Sequence, residues 1–446
     1  MTAPTMWGLR ALAGRWTMIL TMSGLVAACA GGPRPSSVTP VEIPSLKAQA
    51  AQQPTNAQLR FRLAAALAAA NRCDSAVVVA AAGQMLAPTD VVGPMVIGRC
   101  QEQDGRPDLA YATYTDFARR HPDARGIAGL RALAQIALRT QATQTAQLAL
   151  ARESTLTTLA PEPSTIAVLP MTIAGDSSLQ PLSRGLADLL TTDLALVRNL
   201  RLLERVQIGT LLDELQLSSS GRADPATAAR VGRLLRAERM VQGVAAITEN
   251  GPVRMSATVV RGNGEVRAGA QANGTFKQLL DLEKQLVFSI ATQLGIQLTE
   301  AERQQILRQG PKNLAAFLAY SDGLDALDHG NYQAAAAAFG AAAQADPSFQ
   351  QAKDQQQAAT AAPAVQTGGA GEIVTVVEAV EQVTAPTEPA SLGALNQGTL
   401  DVSGTIGDVT GPTGVNTILS NPTPESQGIS SVVQASGILR IIFRKP

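Results

Sequence analysis

Residues 165–171 read TIAVLPM, residues 200–205 read LRLLER, and residues 239–274 read RMVQGVAAITENGPVRMSATVVRGNGEVRAGAQANG. The first is a short continuous apolar run, the pattern of a strand covered on both faces. The second is a further strand candidate. In the third, Asn250-Gly251 and Asn263-Gly264 are tight-turn signals. They divide it into strands of about eight residues, Arg239–Thr248, Val253–Arg261 and Glu265–Asn273, an antiparallel meander. Between these segments apolar residues recur at helical spacing: Leu182, Leu186, Leu190, Leu194 and Val197, then Ile208, Leu211, Leu212 and Leu215. Asp224-Pro225 caps and opens another helix, with Ala228, Val231 and Leu235 as its stripe. Leu279, Leu282, Leu286 and Ile290 form a closing helix. The order predicts an α/β domain over residues 164–308, with a mixed sheet, helices and the meander.

Upstream, Ala76 and Ala110 are 34 residues apart, as are Pro88 and Pro122. That is the length of a tetratricopeptide helix–turn–helix unit. Gly98, Ala110, Tyr114 and Pro122 stand at its repeat-packing positions. Small residues let the two helices approach closely, and the proline ends the second one. The spacing predicts a tetratricopeptide-like helical domain over 56–155, completed by a polar-faced capping helix from about Arg125 to Arg152; a generic alanine-rich bundle is the alternative. Cys73 would open the second helix of one unit and Cys100 lie late in the first helix of the next, near the same end of the stack. In an oxidising compartment that placement points to a disulfide, with two buried free thiols as the alternative.

A second match lies downstream in YSDGLDALDHGNYQAAAAAFGAAAQADPSF, where Gly323, Ala335, Phe339 and Pro347 keep the same spacing. One repeat cannot bury its own core. The unit over 312–353 is therefore expected to dock on a neighbouring domain or another chain. Residues 354–446 read as a low-complexity tail, disordered or weakly structured. Within the tail, GEIVTVVEAVEQV is compatible with a strand or a helix, and the final GILRIIFRKP is suited to adding to a sheet edge.

The amino terminus reads as an address. Residues 1–28 carry Arg10 and Arg15, then the apolar run WTMILTMSGLVAA, too short to span a bilayer and typical of a secretory signal. The run ends LVAAC, which resembles a bacterial lipobox with Cys29 as the lipidated residue; cleavage near Ala28 leaving a free Cys29 is the alternative. The proline-rich stretch 29–55 is expected to act as an extended tether.

With 36 basic and 36 acidic residues the chain carries no net charge, which argues against nucleic-acid binding. Eight Phe, four Tyr and two Trp are too few for base-stacking platforms or barrel girdles. Two histidines and three cysteines leave little material for a metal or nucleophile site. His121 and His329 both read as turn residues, and Glu204-Arg205 and Asp213-Glu214 as structural neighbours rather than catalytic pairs. No catalytic residue, cofactor or metal site is predicted.

The segments IAVLPM, GLADLLTTDL, LLERVQIGTLLDEL, GRADPATAARVGRLLRAERMVQG and GNGEV, in this order, resemble the periplasmic domain of the CsgG family of curli production assembly and transport components. They are also similar to FlgO-type domains and to the amino-terminal domain of TolB. The resemblance implies an outer-membrane lipoprotein, anchored on the periplasmic side, that acts as an oligomer in export or assembly through protein–protein binding. The family's channels insert long amphipathic hairpins into the membrane, and the short meander strands here depart from that pattern. A periplasmic accessory is therefore expected. The alternatives are an envelope interaction scaffold without an export role and a subunit of an outer-membrane pore.

Overall fold

A computed structural model describes residues 39–216, 224–248, 251–266 and 269–384. Cys29, the leader before it, the tether up to residue 38, Asn250 and the carboxyl-terminal segment from 385 lie outside the described residues. The first α-helix described is α1 (Ile43–Gln52), which replaces the extended tether expected over 29–55 there because Leu46 is buried in the upstream core. Two helix pairs follow, α2 (Ala57–Ala69) with α3 (Cys73–Leu86) and α4 (Val92–Gln103) with α5 (Pro107–Arg120). Asn56 caps α2 by accepting the Leu59 amide proton, and Pro107 opens α5 where no amide partner is needed.

The long helix α6 (Ile127–Ala151) follows. It is not the polar cap expected between Arg125 and Arg152. Leu130, Leu133 and Ala137 are buried among the upstream helices, while Ala146 and Ala149 are buried against Ile208, Leu211 and Leu212. Alanines along two faces let neighbours approach from both sides, so α6 belongs to both bodies.

After the short α7 (Glu153–Leu156) come β1 (Glu162–Val168), β2 (Thr172–Gly175), α8 (Leu182–Leu194), β3 (Arg201–Leu202), α9 (Arg205–Glu214), α10 (Pro225–Leu235), β4 (Ala237–Ile247), β5 (Pro252–Arg261), β6 (Ala270–Thr275) and α11 (Leu279–Gln293). The sheet order is β3-β1-β4-β5-β6, with β2 also on β4. β1, β2, β3 and β4 run parallel, and β4-β5-β6 is the antiparallel meander. β1 and β2 follow one another along the same edge of β4, interrupted at Pro170, which has no amide for the ladder. The apolar run 165–171 is covered on both faces: Ile166 and Val168 lie under α8 and α11, Ala167 and Leu169 under α9 and α10.

Four further details differ from expectation. The strand anticipated in LRLLER shrinks to Arg201–Leu202, because Arg205 already opens α9. The third meander strand starts at Ala270 rather than Glu265, since the register pairs Ala257 with Ala270 and, among the described residues before that, Val266 alone bridges to Val260. β4 and β5 have 11 and 10 residues rather than eight, so their length alone does not distinguish them from membrane strands. Their coverage does: one face of β4 (Val241, Ala245, Ile247) lies under helices and the first half of its other face (Ala237, Met240) does too, and β5 buries Val253, Met255, Ala257 and Val259 on one face.

The fourth difference concerns the tail. Beyond α12 (Glu300–Arg308) and the pair α13 (Leu314–Asp328) and α14 (Tyr332–Ala345), the chain continues as α15 (Gln350–Thr367) and α16 (Ile373–Thr384). Ala361, Ala362, Val365, Ile373 and Val380 join the core of the upstream stack, so the segment from 354 to 384 is ordered by contacts hundreds of residues away. Among the described residues, no helix is long and apolar enough to cross a membrane.

Candidate interaction site at the domain junction

The repeat-packing residues are brought together in two similar contacts. A Cβ on Gly98 would stand 2.1 Å from the Tyr114 ring, and one on Gly323 would stand 2.5 Å from the Phe339 ring. Ala110 and Ala335 are buried beside these contacts, whereas Pro122 and Pro347 sit exposed in the turns after α5 and α14. Cys73, at the start of α3, and Cys100, late in α4, are placed as a disulfide with Cα atoms 5.3 Å apart. Tyr320 packs against Phe339 and Phe349, with ring centroids 5.3 and 4.8 Å away.

The downstream pair does not stand free. A Cβ on Gly185 of α8 would lie 2.0 Å from Ser321 Oγ, and Phe317 is buried in the core of the α/β domain. Around this contact, five helices contribute a network of charged and polar side chains. Arg205, the first residue of α9, is buried and donates to both oxygens of Asp328, at 2.6 and 3.0 Å. Its Nε lies 3.5 Å from Asp188. Arg184 of α8 reaches Asp328 at 2.8 Å and Asp325 at 2.6 Å. Asp188 accepts from the Tyr320 hydroxyl at 3.1 Å and from Gln351 at 3.2 Å. Arg139 of α6 donates to the Leu327 carbonyl at 2.5 Å. Glu204 turns the other way and accepts from Tyr111 of α5 at 3.0 Å.

The electrostatics follow from burial and pairing. Burial alone would lower the Arg205 pKa, but Asp328 and then Asp188 hold it above its ordinary value. Burial would likewise raise Asp328, yet Arg205 and Arg184 keep it lowered and ionised. Asp188 is raised by burial against the pull of Arg205. Each carboxylate is thus held by guanidinium, hydroxyl or amide donors from neighbouring helices, and the network fastens those helices together. A crevice of about 380 Å³ opens beside it, lined by Arg139, Arg184, Arg205, Gly209, Asp213 and Asp328.

A second buried set lies between α8 and α11. Lys284 Nζ is 2.5 Å from Asp193 and 3.3 Å from Glu283. Burial raises both carboxyls, so Glu283 is held toward its protonated form. His121 packs at a tilt against Phe117, with centroids 4.8 Å apart, and His329 Nδ1 lies 2.7 Å from the Asp325 carbonyl, both in turns.

Sequence reasoning missed the Arg205–Asp328 fastening, the Asp193–Glu283–Lys284 set and α16. An arginine opening a helix and two aspartates at i and i+3 were the only signals, and neither names its partner. The predicted strand and helix order, in contrast, carries the family resemblance. The family model described as curli production assembly/transport component CsgG matches residues 132–274. The match starts within α6, whose second half packs on α9, and ends in β6. The chain therefore contains a CsgG-like domain, whose family is one of transport and assembly components associated with the cell envelope and with oligomers rather than an enzyme family. No curated protein matches the chain.

Proposed function

We propose that this chain is an outer-membrane-anchored lipoprotein that works on the periplasmic side in the assembly or transport of a surface or secreted product. The CsgG-like domain carries the reading. The helix pairs on either side, tetratricopeptide-like in spacing, supply protein-binding surfaces, and the Arg205–Asp328 fastening holds the downstream pair against the CsgG-like domain. In this reading Cys29 bears the lipid, Cys73 and Cys100 are oxidised in the same compartment, and copies assemble into an oligomer.

The coverage of the first half of β4 by helices on both sides favours an accessory over a pore subunit, since a lipid-facing strand cannot also be roofed by helices. Deleting the gene should abolish a secreted fibre or surface product while leaving the envelope intact, and replacement on a plasmid should restore it. An unchanged surface would reject the export role. Cys29→Ser should move the protein from membranes to the soluble periplasmic fraction, and unchanged fractionation would reject the anchor.

A further inference from the structure

α16 lies across α2, α4 and α6, alternate helices of the upstream stack. Its sequence, IVTVVEAVEQVT, is β-branched at most positions and is a weak helix former by itself. The surface beneath it is what keeps it helical. Ile373 and Val380 are fully buried there. The floor is made of two glycines: a Cβ on Gly129 would stand 3.2 Å from Val380 Cγ2, and one on Gly126 would stand 2.9 Å from Val377 Cγ1. The rim is basic. Arg125 pairs with Glu381 and is held further by Glu378, while Arg99 donates to the Val365 and Gly368 carbonyls at the end of α15. The nearby Asp90 is already engaged by Gln58 and the Val92 amide.

The seat is lightly held. Only two side chains of α16 are fully buried, and Val383 remains 53% exposed. A crevice of about 430 Å³ runs alongside, between Val374, Val377, Glu378 and the facing Gln58, Val92 and Arg125. Elements with so little burial open at low free-energy cost. Gly368, where a Cβ would lie 2.2 Å from Val376, forms the tight connection about which α16 would swing out.

We propose that α16 is a resident stand-in in a helix-binding groove, and that the groove takes in its place an acidic amphipathic helix of a partner protein, with apolar residues at the spacing of Ile373, Val377 and Val380. A helix laid in a groove is read through i, i+4 and i+7 anchors, and here the glycine floor and the Arg125 rim supply the complement. The inference rests on the protein-binding part of the function proposed above. Its test on purified protein is independent of any export phenotype.

The probe is a fluorescent peptide with the sequence of residues 371–385. The full-length protein and the full-length I373D/V380D variant, in which α16 is unseated, are titrated into it. The variant should bind at least tenfold more tightly than the parent, and adding Arg125→Glu should weaken it severalfold. Where I373D/V380D fails to fold, Glu378→Lys with Glu381→Lys unseats the helix at the Arg125 rim and should give the same direction. Equal binding by parent and variant, or no binding by a variant with parental circular dichroism, would overturn the proposal. A dimer of the parent that the peptide dissociates, seen by light scattering, would place a second copy's α16 in the groove and overturn the partner assignment.

Discussion

In the upstream stack, Gly98 lets the Tyr114 ring lie against the backbone of α4; in the downstream pair, Gly323 does the same for Phe339 against α13. The internal contact is the same, and what lies around it is not. Upstream, α1 to α6 share one apolar core with α15 and α16, and Cys73 faces Cys100 across two of them. Downstream, one pair with α15 has a small core of its own and extends Phe317 into the α/β domain, with Arg184 and Arg205 closing on Asp325 and Asp328. A local code for packing two helices is thus reused, and the supply of neighbours decides whether the pair is fastened by apolar burial or by buried charge.

Removing the shared contact is the hardest test of this contrast. Phe339→Ala should cost about 3–5 kcal/mol, the range for a fully buried phenylalanine. It should also render residues 313–350 protease-sensitive while leaving the upstream stack resistant. Parental stability with that segment cleaved in the parent as well would show that the pair is not docked.

Asp328→Ala attacks the downstream fastening alone. It leaves Arg205 buried without its bidentate partner, and loss of one member of a buried pair costs about 3 kcal/mol or more. Denaturant unfolding should show that loss, and Arg205→Met combined with Asp328→Ala should recover part of it. A double variant no more stable than the single one would mean that the charge pair is not what holds the pair down.

The matching upstream test is the disulfide. Replacing both Cys73 and Cys100 with serine opens a loop of 27 residues, for which chain entropy sets a loss of about 3.5 kcal/mol. Thiol counting on denatured, unreduced parent decides first whether the bridge exists, since two reactive thiols at these positions would exclude it.

A smaller effect separates the α/β core from both helical regions. Burial pushes the Glu283 carboxyl up to about 8 from an ordinary 4.5. Between those values the native state holds a proton that the unfolded chain releases, so this group's contribution to stability is present at low pH and is lost as pH rises through the window. Asp193 is raised in the same direction. Melting temperature should therefore fall by a few degrees more across pH 5–8 in the parent than in Glu283→Gln. Parallel curves would remove Glu283 as the cause. At the far end, Arg125→Ala removes an ion pair whose arginine is exposed, and overall stability should not change measurably.

Much of this architecture is written in short-range patterns. The run TIAVLPM predicted a strand buried on both faces, and β1 is one, because apolar residues on both sides of the pleat require cover on both sides. The alternation from Val253 to Val259 predicted a half-buried strand, and β5 buries those four residues and leaves Arg254 exposed. The spacing of Gly98 with Tyr114 and of Gly323 with Phe339 sets which helices touch, since both partners lie within one repeat.

Tertiary structure decided the rest. No local pattern shows that α6 is buried on two sides, because alanine is compatible with a solvent face or a close neighbour. The β-branched run of α16 favours a strand in isolation, and it becomes a helix only where the glycine-floored face of the upstream stack covers it. Arg205 and Asp328 meet across 123 residues. Periodicity reports how side chains are arrayed along one element. It carries no term for a single charged residue whose partner is brought to it by the packing of other elements.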